Sequence, residues 1–241
     1  MRFLTITLRR IAAATLVTTM APPLAPSAHA AANPIAAQAR YTAPTAALPQ
    51  PAMPALAPVV GPTWRVGAMF GALSHRGVWP PTSCKSLLIC PWRADLQPDY
   101  VMGAHAIYTA YRFQTLPMNI EIEGGLTQRF GRSHQTEFYL APILRWTAFP
   151  WNDYVFTNVR LGLLGASYAT GVSSWERANS GVGHGSRFLN YLLIEATLAP
   201  SQAAPFEMFV RLHHRSGIFG MIDRVRGGSN YVAAGVRFKL D

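Results

Sequence analysis

From about residue 62 to the end, apolar and polar side chains alternate in segments of roughly ten residues, the length of a membrane-crossing strand. Eight such segments can be placed, near 62–73, 100–113, 118–129, 135–147, 153–168, 187–198, 206–217 and 230–240. The alternation is clearest late in the chain. Phe206, Met208, Val210 and Leu212 share one face, against Glu207, Arg211 and His213 on the other. Val232, Ala234, Val236, Phe238 and Leu240 oppose Tyr231, Ala233, Gly235, Arg237 and Lys239. Met118, Ile120 and Ile122 oppose Asn119, Glu121 and Glu123, and Phe138, Leu140, Leu144 and Trp146 oppose Glu137, Tyr139 and Arg145.

A soluble sandwich also alternates, but its charged face meets water. Here charges of both signs sit mid-strand opposite large apolar side chains. That arrangement suits a closed barrel whose wall is apolar outside and whose interior pairs arginine with glutamate. The expectation is therefore an all-β fold, an eight-stranded antiparallel transmembrane β-barrel of the outer membrane, over residues 61–241. Glu121, Glu123, Glu137, Arg145, Arg160, Glu195, Arg211 and Arg237 are its predicted interior charges. Trp64, Tyr100, Trp151, Tyr154 and Tyr231 are candidates for aromatic interface belts. Both termini are expected on the periplasmic side, with short inner turns at "QTLP", "FPWND" and "APSQAAP". The outer loops are then 74–99 and 169–186, both long, and a short one near 130–134.

The first 30 residues read as a secretory signal peptide. They carry Arg2, Arg9 and Arg10, then an apolar run, then small residues at Ala28 and Ala30. Residues 31–60 are rich in alanine and proline and read as a flexible lead-in. The net charge of +10 raises nucleic acid as a partner, but the export signal and the scattered placement of arginines argue against it. An anionic lipid surface such as lipopolysaccharide fits both charge and compartment. Cys84 and Cys90 are a close pair in an exported chain and read as a disulfide. No metal or cofactor is called for by this pattern.

The segment "FEMFVRLHHRSGIFG", Phe206–Gly220, carries the candidate chemistry. His214 and Ser216 are two apart and share the face of Met208 and Val210, so they are expected to face lipid. A histidine base beside a serine hydroxyl is the minimum apparatus for attacking an ester carbonyl, and it ordinarily needs a third group to orient the imidazole. The bland reading is a polar pair at a barrel rim touching headgroups and water. His213 falls on the inner face and reads as part of the interior network. Asn179, His184 and Ser186 read as surface groups of a glycine-rich loop, and Gly227–Gly228 as a tight turn before the last strand.

"RLHHRSGIFG" followed by "GGSNYVAAGVRFKL" resembles the C-terminal end of outer-membrane lipid A 3-O-deacylases, an acyloxyacyl hydrolase-like family. The resemblance covers about 35 residues well and the remainder in strand layout only. It implies hydrolysis of an ester-linked acyl chain of lipid A by a Ser/His site on the lipid-facing wall, with Ser216 as nucleophile and His214 as base. The chain departs from the family at two positions. Gly217 stands where the family has asparagine, leaving its backbone N–H as oxyanion candidate. The family's orienting glutamate falls nearest Asn230, with Asp223 in the connecting loop as the alternative acid. These departures keep open a non-catalytic outer-membrane barrel with a structural or surface-binding role; a third reading, a small pore, stands against interior charges that would plug the lumen.

Overall fold

The computed structural model describes residues 64–78, 83–87 and 90–240. The expected signal peptide and lead-in lie outside the described residues. Eight strands run in sequence order as β1 Trp64–Ser74, β2 Leu96–Arg112, β3 Met118–Gly131, β4 Gln135–Trp146, β5 Phe156–Ala169, β6 Phe188–Ala199, β7 Phe206–Ser216 and β8 Gly228–Leu240. A short helix, α1 Ser174–Asn179, stands between β5 and β6. Every neighbouring pair is antiparallel, and β1 closes on β8 from Trp64↔Leu240 to Leu73↔Tyr231. Closure leaves no free sheet edge, which is what allows strands to cross an apolar medium.

The predicted alternation sorts side chains between lumen and wall. Arg129, Arg160, Arg211, Arg215 and Arg237 are fully buried inside, as are Glu121, Glu123, Glu137, Glu195 and Glu207. Phe70, Met102, Phe138, Leu140, Leu163, Leu164, Met208, Val210 and Phe238 stand exposed outside. An exterior this apolar around an ionic core is the inverse of a water-soluble protein and places the strands in a bilayer. No described helix is long and apolar enough to cross a membrane.

The interior charges are tolerable because they are shared. Glu123 and Glu195 both receive Arg211, at 2.7 Å from its Nη1 and 2.8 Å from its Nε. Glu121 receives Arg160 Nε at 2.7 Å and also pairs with Arg65. Glu207 receives Arg145 Nη2 at 2.6 Å. Arg211 and Arg237 both stack on Phe209, each guanidinium 4.6 Å from the ring centre. This explains why Phe209 breaks the polar face of β7: it is a cation–π platform inside the lumen.

Three details differ from the sequence reading. β2 begins at Leu96 rather than near 100, because Leu73 and Ser74 pair with Gln97 and Leu96 beyond a register shift. Tyr231 is no interface residue: it is buried in the lumen, with the Arg129 guanidinium 4.7 Å from its ring centre. β8 begins at Gly228, and the turn lies earlier, at residues 221–224, so the glycine pair is not itself a tight turn. The disulfide between Cys84 and Cys90 is formed, with Cα atoms 5.0 Å apart, in the loop joining β1 and β2. The short turns join β2–β3, β4–β5 and β6–β7. The other end of the barrel carries the longer loops, with 132–134 as the short exception.

Candidate active site on the outer wall

The site sits on the last rungs of the β7–β8 ladder at the long-loop end. There His214 pairs with Asn230, Arg215 with Ser229, and Ser216 with Gly228. Alternation sends His214, Ser216 and Asn230 to the same side as Met208 and Val210, and Arg215 and Ser229 to the lumen. His214 and Asn230 are nearly buried despite facing outward, each 9% exposed. Ser216 is half-buried.

His214 Nδ1 lies 2.6 Å from Asn230 Oδ1. An amide oxygen only accepts, so the hydrogen is on Nδ1 and the lone pair is on Nε2. Asn230 thereby sets both the tautomer and the tilt of the ring, the role an amide plays in Cys-His-Asn sites. Ser216 lies two residues along the same strand face, about 6.7 Å away by strand rise. Among the described residues the Ser216 hydroxyl makes no hydrogen bond.

Asp223 is not part of this arrangement. It is exposed in the β7–β8 loop with φ 50°, and its backbone carbonyl faces His184 Nε2 at 3.1 Å. Gly217 is required by packing: a Cβ there would lie 2.0 Å from the carbonyl oxygen of Val225. The asparagine of the resembling family has no room at this position in this loop. His213 points into the lumen, its Nε2 3.1 Å from Glu137 Oε1. Ser186, read from sequence as a surface group, is buried, its hydroxyl donating to the Phe188 carbonyl at 2.8 Å. His184 and Asn179 are exposed as expected, and Asn179 also lines the site groove.

The groove over this site has a volume of about 510 Å³. Leu163, Leu164, Leu192 and Ile194 form its apolar floor, and His214, Ser216, Asn230 and Asn190 its polar corner. Trp175 and Asn179 of α1 and Phe219 and Arg226 of the β7–β8 loop border it. Asn190 was not singled out from sequence. It pairs with Ser216 across β6–β7 and with Ala166 across β5–β6. Its Oδ1 accepts from Gly165 N and its Nδ2 donates to Leu163 O, both at 3.2 Å. These two bonds replace ladder bonds lost where β5 bulges between Gly162 and Gly165. The bulge throws Leu163 and Leu164 outward side by side.

Pro142 explains the other side of the bulge. It stands mid-strand in β4 without an N–H, where the β4–β5 register is interrupted between Leu140 and Leu144. A second apolar groove of about 460 Å³ opens there, lined by Ile122, Leu140, Pro142, Leu164, Ala166 and Asn190 among others. The two grooves meet at Leu164 and Asn190. The signal for this in the sequence was Pro142 and the glycines of "RLGLLGAS", which interrupt strict alternation. Among the described residues no three His, Cys, Asp or Glu side chains converge as metal ligands.

No protein-family profile matches the chain. No curated protein matches it in sequence. Among solved structures it is similar to the outer membrane enzyme PagL, at 14% identity and a TM-score of 0.50, over 73% of this chain and 99% of that one. It is also similar to Neisserial surface protein A, NspA (10% identity, TM-score 0.39, 73% of this chain and 96% of that one). The de novo designed protein TMB2.3 is similar at 10% identity and a TM-score of 0.36, over 75% of this chain and 95% of that one. At 14% identity the likeness to PagL extends to the fold, and the fold is a closed eight-stranded antiparallel barrel of the outer-membrane type.

Proposed function

We propose that this barrel hydrolyses an ester-linked acyl chain of lipid A, or of a chemically similar outer-membrane lipid, at the His214–Ser216 pair. The observation that carries the reading is the 2.6 Å bond from His214 Nδ1 to Asn230 on the outer wall, beside a serine hydroxyl and an apolar groove. An isolated polar cluster inside an apolar wall is costly and marks a site rather than a scaffold. The long-loop end is taken as the outer side of the membrane, which sets the groove at the level of the outer-leaflet ester linkages.

Ser216 Oγ attacks the ester carbonyl carbon while His214 Nε2 takes its proton. The tetrahedral intermediate collapses, the C–O bond to the lipid hydroxyl breaks, and the imidazolium returns the proton to that oxygen. Water, deprotonated by the same Nε2, then cleaves the acyl-serine and frees the fatty acid. The N–H of Gly217 is the candidate donor to the oxyanion. The acyl chain lies on Leu163, Leu164 and Leu192, with the Pro142 groove as its continuation. Asn230 orients the ring but supplies no negative charge to the imidazolium, so turnover slower than that of a Ser-His-carboxylate site is expected.

The alternative is a non-catalytic barrel, favoured by the amide in place of an acid and by the glycine after the serine. The test is mass spectrometry of lipopolysaccharide incubated with detergent-purified protein. Release of 3-hydroxy fatty acid by the wild type and its loss in Ser216→Ala and His214→Ala support the hydrolase. No release from any lipid A species supports the non-catalytic barrel.

A further inference from the structure

The residues directly behind the site, on the luminal face of the same rungs, share one buried carboxylate. Glu176 of α1 is fully buried at the mouth of the barrel. Its Oε1 accepts from Arg215 Nη1 at 2.7 Å, from Ser229 Oγ at 2.9 Å and from Arg129 Nη1 at 2.9 Å. Arg215 lies between His214 and Ser216, and Ser229 precedes Asn230. Arg215 and Ser229 are themselves a cross-strand pair, the rung next to His214↔Asn230. One carboxylate therefore ties β7 to β8 at the rung that separates the base from the nucleophile.

That rung needs tying. The β7–β8 ladder ends one pair later, at Ser216↔Gly228, and the strands then part into an eleven-residue loop, 217–227. The ends of ladders open most readily. The strap that holds Glu176 in place is itself well anchored. Ser173 caps α1, its Oγ accepting from Glu176 N at 3.0 Å. Trp175 packs against Leu73, Val101 and Tyr231. The Arg226 N–H donates to Ser180 O at 2.8 Å, and Gly227 lies so close to α1 that a Cβ would stand 1.8 Å from the Asn179 carbonyl oxygen.

We propose that Glu176 is a positioning residue for the outer-wall site. It acts from inside the lumen, through Arg215 and Ser229, to keep the last rungs of β7–β8 closed and so hold Asn230 against the His214 ring. The inference rests on the hydrolase reading for its kinetic consequence, but not for its structural one. The same loop presents Trp175 and Asn179 to the groove, so the strap that braces the site also borders the groove beside it.

The test compares Glu176→Gln with Glu207→Gln. Glu207 is an equally buried carboxylate on the same β7 strand, paired with Arg145 and Arg237 at the short-turn end. With lipopolysaccharide as substrate, Glu176→Gln is expected to lower kcat at least about tenfold with little change in KM, as misplacement of a reacting group does. Glu207→Gln is expected to lower resistance to unfolding without lowering kcat. Equal kcat losses in the two variants, or an unaltered kcat in Glu176→Gln, would overturn the proposal. Hydrogen exchange over residues 213–230 supplies a readout independent of activity. Faster exchange in Glu176→Gln than in wild type or Glu207→Gln supports the clamp, and identical exchange overturns it. If the wild type releases no acyl chain, the hydrolase reading fails and exchange still decides the clamp. Ser229→Ala, which removes one of the three partners, serves if Glu176→Gln does not fold.

Discussion

The lumen and the outer wall of β7 use polar side chains in opposite ways, though they are one strand apart in space and alternate residue by residue in sequence. On the luminal face, Arg211 spreads its guanidinium over Glu123 and Glu195 and against Phe209. Glu195 in turn pairs with Arg160 and Arg237 as well. Each charge there is held by several partners, which offsets the cost of burial and leaves little capacity for a ligand. On the outer face, His214 has one side-chain partner and Ser216 has no hydrogen bond among the described residues. The contrast separates polarity that holds the barrel from polarity available for chemistry.

The sharpest way to break this contrast is to remove the groups on the wall. Ser216→Ala and His214→Ala are each expected to lower acyl release by at least about a thousandfold, as loss of a nucleophile or its base does, with unfolding in detergent unchanged. A loss of folding instead would make these residues part of the scaffold. In the lumen the expectation reverses. Arg211→Met removes a cation that Glu123 and Glu195 share, leaving Glu123 to Arg160 and Glu195 to Arg160 and Arg237, and should cost up to about 3–5 kcal/mol, the effect of breaking a buried ion pair. Denaturant titration in detergent micelles measures it, and stability equal to wild type would show that the lumen ions are dispensable.

Asn230 sharpens the comparison from the wall side, because its amide is the point at which the site departs from the resembling family. Asn230→Asp keeps an acceptor at Nδ1 and adds the charge that stabilises imidazolium. It should raise kcat by about tenfold, equivalent to about 1.4 kcal/mol of barrier. A fall in kcat would mean that the amide is matched to its surroundings in a way the charge is not.

The smallest effect concerns pH and lies where lumen and wall meet, at Glu176. Burial alone pushes its carboxyl up, but Arg129 and Arg215 outweigh burial and hold it below the ordinary carboxylate range. A folded-state value held low means that ionised Glu176 contributes stability fully above the unfolded-state value, about 4.3, and loses it as pH falls through the lower folded value. The stability gap between wild type and Glu176→Gln should therefore be constant near neutrality and close only in the acid range. Thermal unfolding as a function of pH measures it; a gap that already closes above pH 6 would contradict the assignment.

Much of this was legible in the residues. Strand number and the inward placement of Arg211 and Glu195 follow from period-two alternation, because a strand has only two faces and a bilayer accepts only one kind of side chain on the outer one. His214 and Ser216 share a face by their spacing, whereas Asn230 joined them through the family resemblance, supported by its parity with Val232 and Ala234. Asn190 and Glu176 were not legible. Asn190 matters because a proline on one strand and a bulge on the next remove ladder bonds that its amide replaces, and no local pattern announces that need. Glu176 sits in a loop with no periodicity at all, and its burial depends on where the barrel mouth places Arg129, Arg215 and Ser229.

The sequence by itself determined the fold class, the two faces of each strand and the parity of the candidate dyad, since these depend on spacing along the chain and on what lipid excludes. Only the tertiary structure decided that Asn230 rather than Asp223 meets the imidazole, that Gly217 cannot carry a side chain, and that a loop carboxylate braces the site from within. The first two outcomes depend on how the β7–β8 hairpin and its loop pack, and the third on closing the barrel, which brings Glu176 within a hydrogen bond of Arg129 and Arg215.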